Sequence, residues 1–447
     1  VRNPTLVALS LSMLLPSAAV GIANVGLPTL ATAFDASFDA VQWVVIAYLL
    51  ATTTAVVGAG RLGDLVGRRR LLLTGVAVFT LGTLLCGLAP TLPWLIAARA
   101  VQGVAAAAMM ALTMAFVAEV VPADRTGRAM GLLGTMSAVG TAAGPSLGGV
   151  LISAFGWRML FLAIVPLGVV GFVLAARTLP RPSMPDRPRF DLPGLVLLAV
   201  TLGAYTSAVT LDRHQVPSLL VAAVGLVAFV VVENRVAAPL VALAGLREPG
   251  LAAGLTSGAV VSAVVMTTLV VGPFHLGTAL GLAPAWVGLA MSTGPVVAAL
   301  AGVPAGRLTD RVGTRTAVLA GLVAMVAGST ALALLPVGAG VVGYVASLVT
   351  ITAGYAVFQA ANNTAVLRDV PGPRRGVVSG LLTLSRNLGL TTGASVMGAV
   401  FAATAHDVTL ADQVARGTRW TFAVAAAGLV VALGISSRTR RLARTRR

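Results

Sequence analysis

The sequence predicts an all-α integral membrane protein with two pseudo-symmetric six-helix bundles and two further helices inserted between them. That makes 14 transmembrane helices. Three observations carry this prediction. Of 447 residues, 57% are hydrophobic and 10% charged, whereas soluble domains are about 25% charged. With a mean hydropathy of +0.95, this excludes a water-soluble enzyme or a disordered regulator. Charge-free stretches recur at the roughly 20-residue length of a helical crossing, not as the short alternating segments of an outer-membrane barrel. A ten-residue loop sequence also occurs twice, and it divides the chain.

Charges along the chain mark the spans in order. The first half, residues 1–178, contains Leu6–Leu30, Val41–Ala59, Leu71–Leu88, Trp94–Ala118, Ala129–Phe155 and Met159–Ala176. The insertion, residues 179–248, contains Leu192–Thr210 and Val216–Val232. No charged residue falls between Glu248 and Arg307, too long a run for one crossing. Gly272, Pro273, Gly281 and Pro284 are expected to break it into Leu251–Val271 and Ala285–Ala305. Thr316–Leu335 and Val341–Ala361 follow, parted at Pro336–Gly340, and then Val377–Thr404 and Trp420–Ile435. The second half is residues 249–447.

The net charge of +17 suggests nucleic acid, but the placement of its residues argues otherwise. All 31 basic residues are arginine. With both termini cytoplasmic, 25 lie in cytoplasmic segments and four in external loops (Arg158, Arg213, Arg416 and Arg419). Arg99 and Arg386 fall within spans. This is the positive-inside pattern of an inner-membrane protein, and the tail from Arg438 to Arg447 reads as an anchor near anionic lipid. No nucleic-acid partner is expected. The first span also resembles a signal peptide, but its removal would invert the charge pattern, so it is read as retained. A single cysteine, Cys86, excludes an intrachain disulfide.

The repeat is visible within the chain. Gly60-Arg61-Leu62-Gly63-Asp64-Leu65-Val66-Gly67-Arg68-Arg69 returns as Gly306-Arg307-Leu308-Thr309-Asp310-Arg311-Val312-Gly313-Thr314-Arg315, 246 residues later. Gly131, Gly140, Gly144 and Gly149 return as Gly380, Gly389, Gly393 and Gly398, 249 residues later. Paired halves around a central site are the architecture of alternating-access carriers. In the repeated loops, Gly60 and Gly67 permit a tight turn. Asp64 is placed to pair with Arg68 or to sit near a helix N-terminus. Two readings stay open: a solvated turn, or a conformational latch made of Gly60, Asp64, Gly67, Arg68, Gly306, Asp310, Arg311 and Gly313.

These motifs resemble the major facilitator superfamily, specifically its drug:proton antiporter branch with fourteen spans. The loop from Gly60 to Arg69 fits the superfamily signature between spans 2 and 3, and Leu95 to Gly103, with Arg99 and Gln102, fits that of span 4. Gly131, Gly140, Gly144-Pro145 and Gly148-Gly149 fit the antiporter signature of span 5, and Trp157-Arg158 with Pro166 and Gly168 is usual in the fourteen-span branch. The resemblance implies proton coupling through Arg99 and export as opposed to uptake. It also implies an aspartate in span 1, nine residues before a Leu-Pro pair. Leu27-Pro28 is present, but the acidic position is Ala19.

The remaining residues narrow the chemistry. The span-5 glycines make either a groove for close helix approach or ordinary membrane packing. Gly58 to Gly63 has dinucleotide-fingerprint spacing but closes a membrane span, and Gly144 to Gly148 lacks the strand, histidine and acid of a hydrolase elbow. Without lysine there is no phosphate-binding Gly-Lys-Ser/Thr loop, so neither a cofactor nor direct ATP drive is expected. An arginine at a helix centre costs about 2.5–3.5 kcal/mol, so Arg99 and Arg386 should face a cavity or a partner. For Arg99 the alternative is to be pinned by backbone carbonyls and Gln102. Asn24, Tyr48, Gln102, Thr113, Tyr355, Gln359, Asn362 and Asn387 are the polar candidates for the cavity wall. None of the fourteen acids lies mid-span, which favours neutral or anionic substrates.

The expected function is export of a small drug-like or antibiotic compound across the cytoplasmic membrane, coupled to the proton gradient. A lipid or metabolite exporter and a non-transporting sensor or scaffold are the alternatives. The oligomeric state is not legible.

Overall fold

The computed structural model describes residues 4–120, 126–180, 192–210, 215–236, 248–367, 372–405 and 407–444, and among these residues the structure is all helical. In chain order the long helices are α1 (Pro4–Ala33), α2 (Trp43–Val66), α3 (Arg68–Gly87), α4 (Leu92–Val120), α5 (Thr126–Phe155) and α6 (Val165–Thr178). Next come α7 (Leu192–Thr210), α8 (Gln215–Arg235), α9 (Pro249–Phe274), α10 (Pro284–Val312), α11 (Thr314–Leu334) and α12 (Gly340–Leu367). Helix α13 runs over Gly372–Thr392, through a π-helical turn at Gly393–Met397, and on over Gly398–Ala405; α14 is Ala411–Arg444.

Twelve helical segments among the described residues are long and apolar enough to cross a membrane. Two further apolar segments, Val139–Phe155 in α5 and Pro193–Ala208 in α7, are shorter. The count differs from the fourteen read from charge spacing at these two helices, whose apolar stretches among the described residues are shorter than the roughly 20 residues of a crossing, although α5 as a whole has 30 residues.

The expected break at Gly272-Pro273 does not occur. Helix α9 runs through both residues and ends in a π-helical turn, His275–Ala279. Proline removes one backbone donor, and a π turn is where a helix absorbs such a mismatch. The reversal falls at Gly281, another of the four residues expected to mark it, which has φ +67°, and the next helix starts at Pro284. The turn around Pro336–Gly340 is where the sequence places it, with Gly340 at φ +57°.

The helices form two compact units. The first contains Val1–Ala208, Arg213–Leu240 and Ala283–Ser292; the second contains Val209–Asp212, Val241–Leu282 and Thr293–Arg447. Each is built on glycine contacts, because only a hydrogen at Cα lets two helix backbones approach this closely. In the first unit, a methyl group on Gly140 would lie 2.5 Å from the Leu14 carbonyl of α1, and one on Gly144 3.0 Å from Gly21. In the second, Gly389 and Gly393 of α13 meet the carbonyls of Ala259 and Ala263 of α9 in the same way. The α3–α4 contact (Gly75 on Ala105, Gly82 on Gln102) recurs as the α11–α12 contact (Gly321 on Gly354, Gly328 on Ile351). The repeat in sequence is therefore a repeat of interfaces.

Candidate functional site

Helix α4 carries the one arginine among the described residues that is completely withdrawn from solvent, Arg99, at 0% exposure. Burying a guanidinium is tolerable only if its donors and its charge are met. Nε donates to the Val44 carbonyl in the first turn of α2 at 2.9 Å, and Nη1 donates to Gln102 Oε1 one turn along α4. The guanidinium lies over the Tyr48 ring, 4.3 Å from its centroid, a cation–π contact strengthened by desolvation. Gln102 Nε2 donates to Thr83 Oγ1 at 2.6 Å, and that hydroxyl donates to the Phe79 carbonyl at 2.7 Å. The Tyr48 hydroxyl donates to the Pro16 carbonyl of α1 at 3.0 Å. One arginine thereby joins α1, α2, α3 and α4. Its Nη2 has no hydrogen-bond partner.

Local sequence explains the precision. Gly103, next to Gln102, lets the Tyr48 carbonyl press against α4, and Thr52 Oγ1 donates to the Gly103 carbonyl at 3.0 Å. Cys86 is buried beside the arginine and forms no disulfide. Asn24 is buried; its Nδ2 donates to the Val20 carbonyl at 2.9 Å and its Oδ1 has no partner. Thr113 is also buried, with a hydroxyl lacking a partner. Ala19 is buried at 3% exposure.

The groove of α5 is occupied by α1. Gly140, Gly144 and Gly148 face Leu14, Gly21 and Val25 respectively, and Pro145 Cδ packs on Gly21. Gly149 meets the Pro284 carbonyl, and Gly288 meets that of Pro145, at the Ala283–Ser292 segment of the same unit.

In the second unit the sequence candidates lie on α12 and α13. Arg386 is exposed on α13. Its neighbour Ser385 is buried and donates to the Leu255 carbonyl, whereas Arg99 of the first unit is itself buried. Tyr355 and Gln359 are half-buried one turn apart on α12, and Asn387 is half-buried on α13. Asn362 is buried and donates to the Gly254 carbonyl at 3.2 Å, tying α12 to α9.

The repeated loops turn at Gly67 and Gly313, at φ +98° and +82°, a backbone conformation suited to glycine. Gly60 and Gly306 do not form the turn; both lie inside helices, α2 and α10. The side chain of Asp64 lies outside the described residues. Arg68 begins α3, while Asp310 and Arg311 are exposed at the end of α10. The motif's last arginine has a use that spacing did not reveal. Arg69 donates to the Leu179 and Ala176 carbonyls at the end of α6, at 3.2 and 2.6 Å. Arg315 likewise reaches the Ser437 carbonyl of α14 at 3.4 Å. The Arg69 contacts fall in the last turn of α6, where a cation is favoured, whereas Ser437 lies about two turns before the end of α14. Thr83, Ser385 and the terminal arginines were missed because their partners are main-chain carbonyls or distant side chains.

No cluster of three or more histidine, cysteine or acidic residues placed to hold a metal exists among the described residues. Twelve helices among the described residues are long and apolar enough to cross a membrane, which marks an integral membrane protein, and its similarity to known transporters makes it a carrier, not an enzyme. Matches to the sequence profile of the Major Facilitator Superfamily extend over residues 9–394 and 254–445, and the chain belongs to that family. It is 34% identical over 384 residues to the uncharacterized transporter YebQ of Escherichia coli, covering 84% of each chain. It is 32% identical over 415 residues to the multidrug resistance protein Stp of Mycobacterium tuberculosis, covering 89% of this chain and 76% of Stp. Among solved structures, a bacterial homologue of the human lysosomal transporter Spinster shares the fold at TM-score 0.74 and 17% identity, covering 98% of this chain and 96% of that one.

Proposed function

We propose that the protein exports small drug-like or antibiotic compounds across the cytoplasmic membrane by alternating access, driven by the proton gradient, with neutral or anionic substrates favoured. The observation that carries this reading is the Arg99 network: a buried cation held by Val44, Gln102 and Tyr48, with Ala19 at the position where the antiporter branch has an acid. A cationic compound approaching such a site meets repulsion in a medium of low dielectric, with no carboxylate to offset its desolvation. The similarity to Stp supports a drug-like substrate class.

The reading extends to topology. Helices α5 and α7 are taken as crossings completed by less apolar turns, giving fourteen spans with both termini cytoplasmic, in agreement with the arginine distribution. By the sequence repeat, the halves are proposed to be residues 1–178 and 249–447 around the inserted pair 179–248. Asn24, Gln102, Tyr355, Gln359, Arg386 and Asn387 are proposed to contribute to substrate binding or coupling. The loops around Asp64 and Asp310 are proposed to act as latches.

The test is reconstitution in liposomes, with export of a panel of neutral, anionic and cationic dyes measured with and without a pH gradient. Gradient-driven movement of neutral or anionic dyes is expected. Efficient export of a dicationic dye, or indifference to the gradient, would overturn the substrate preference or the coupling respectively.

A further inference from the structure

One buried titratable side chain of the second unit belongs to nothing described so far. His275 opens the π-helical turn that ends α9, two residues after Pro273. It is 4% exposed, and neither ring nitrogen has a hydrogen-bond partner. Its ring stacks on that of Tyr344 from α12, with centroids 5.4 Å apart and planes inclined by 21°. A neutral imidazole carries one donor and one acceptor, and buried groups of this kind are nearly always satisfied. Stacking and burial hold this ring; hydrogen bonds do not.

The groups around it are few. Helix α9 has no Asp, Glu, Lys or Arg between Pro249 and Ala279. Helix α12 offers the Tyr344 phenol. Helix α13 contributes the apolar contact of Phe401 with Phe274, at 6.0 Å between centroids. Helix α14 contributes Arg419, within electrostatic reach of the ring and held by its own bond to the Leu335 carbonyl at 3.3 Å. Protonation would give the ring a second N–H where the first already lacks an acceptor, beside a cation. An imidazolium therefore does not belong in this stack; it belongs in water. The segment that carries it departs from regular helix: a π turn two residues after a proline, leading to Gly281 at positive φ, an irregularity often found at functional sites.

We propose that His275 is a proton-binding site coupled to the conformation of the α9–α10 end: neutral and stacked on Tyr344 in the state seen here, protonated when that end opens and the ring turns to water. The proton comes from the aqueous phase and returns to it as the ring restacks, so acid favours the open form. On the topology proposed above, that phase is external. The device does not depend on whether transport itself consumes a proton gradient.

The chain has only three histidines, His214, His275 and His406. Nitrogen-15 histidine NMR on the full chain in lipid nanodiscs, in a His214→Asn, His406→Asn background, therefore reads His275 alone. From pH 8 to pH 5 the ring is expected to pass from one neutral tautomer to imidazolium. Over the same range its relaxation by a water-soluble gadolinium chelate should rise severalfold. In Tyr344→Leu, which lacks the stack, the ring should be open to the chelate already at pH 8; in Tyr344→Phe, which keeps it, the wild-type behaviour should persist. Protonation without any gain in accessibility, or a ring that stays neutral to pH 5, would overturn the proposal. The wild-type titration decides this even if a Tyr344 variant does not fold, and the liposome assay judges proton-driven export separately.

Discussion

The two units share their glycine interfaces but not the chemistry those interfaces enclose. In the first, Arg99 sits between Tyr48 and Gln102, and Gln102 reaches Thr83. At the repeat offsets of 249 and 246, the corresponding residues of the second unit are Leu348 for Arg99, Ile351 for Gln102, Ser329 for Thr83 and Gly294 for Tyr48. The geometry persists, since a methyl group on Gly294 would lie 3.6 Å from Leu348 Cδ1, as Tyr48 faces Arg99. The polarity does not: Leu348 and Ile351 are 3% and 1% exposed, and the buried Ser329 hydroxyl has no hydrogen-bond partner. Close helix packing is a requirement both halves inherit, whereas a desolvated cation is expensive and, among the described residues, is kept on one side. The comparison separates what holds a unit together from what equips it for a task.

The largest effect is expected from making the units alike. Arg99→Leu gives the first unit the residue of the second, and transport in liposomes should fall at least about 100-fold, of the order of 3 kcal/mol. Loss of the protein from the membrane would instead mark the arginine as purely structural, and near-normal transport would dissolve the functional distinction.

Next come the shared interfaces. Gly144→Leu and Gly393→Leu each drive a side chain into an opposing backbone, where overpacking costs about 1–3 kcal/mol or more. Thermal unfolding in detergent should show similar losses for both, and transport should be impaired in each case. A large loss for one and none for the other would break the equivalence of the α1–α5 and α9–α13 contacts.

A third substitution sharpens the charge argument. Ala19→Asp places a carboxylate on α1, in the unit that already holds the buried cation. Selectivity in the dye panel should move severalfold toward cations, with steeper dependence on pH. An unchanged profile would mean that the α1 position does not face the substrate.

The smallest effect concerns the paired arginines of the loops. Arg69→Ala removes two hydrogen bonds to the end of α6, and Arg315→Ala one longer bond to α14. Unfolding measurements should register about 1 kcal/mol for the first and less for the second. A reversed order would show that the two arginines do different work.

The sequence by itself determined the membrane class and the twofold repeat and marked two intraspan arginines as costly, because each is written locally; which of the two is buried was decided by packing. Hydropathy needs only composition, a repeat only self-comparison, and an arginine in an apolar run advertises its own cost. Of the two glycines read as permitting the first repeated turn, Gly67 makes it, at positive φ, and Gly60 lies within a helix. Tertiary structure alone decided the partners. The α5 groove named no occupant until α1 filled it, and Arg99 had many carbonyls to choose from before Val44 took its Nε. The same holds for the inward turn of Ser385 beside the exposed Arg386, for the unbroken run of α9 past Pro273, and for the stack of His275 on Tyr344. A small residue or an unpaired donor records that something must approach; which of many chemically equivalent backbones does so depends on long-range packing, and no local pattern in the chain contains it.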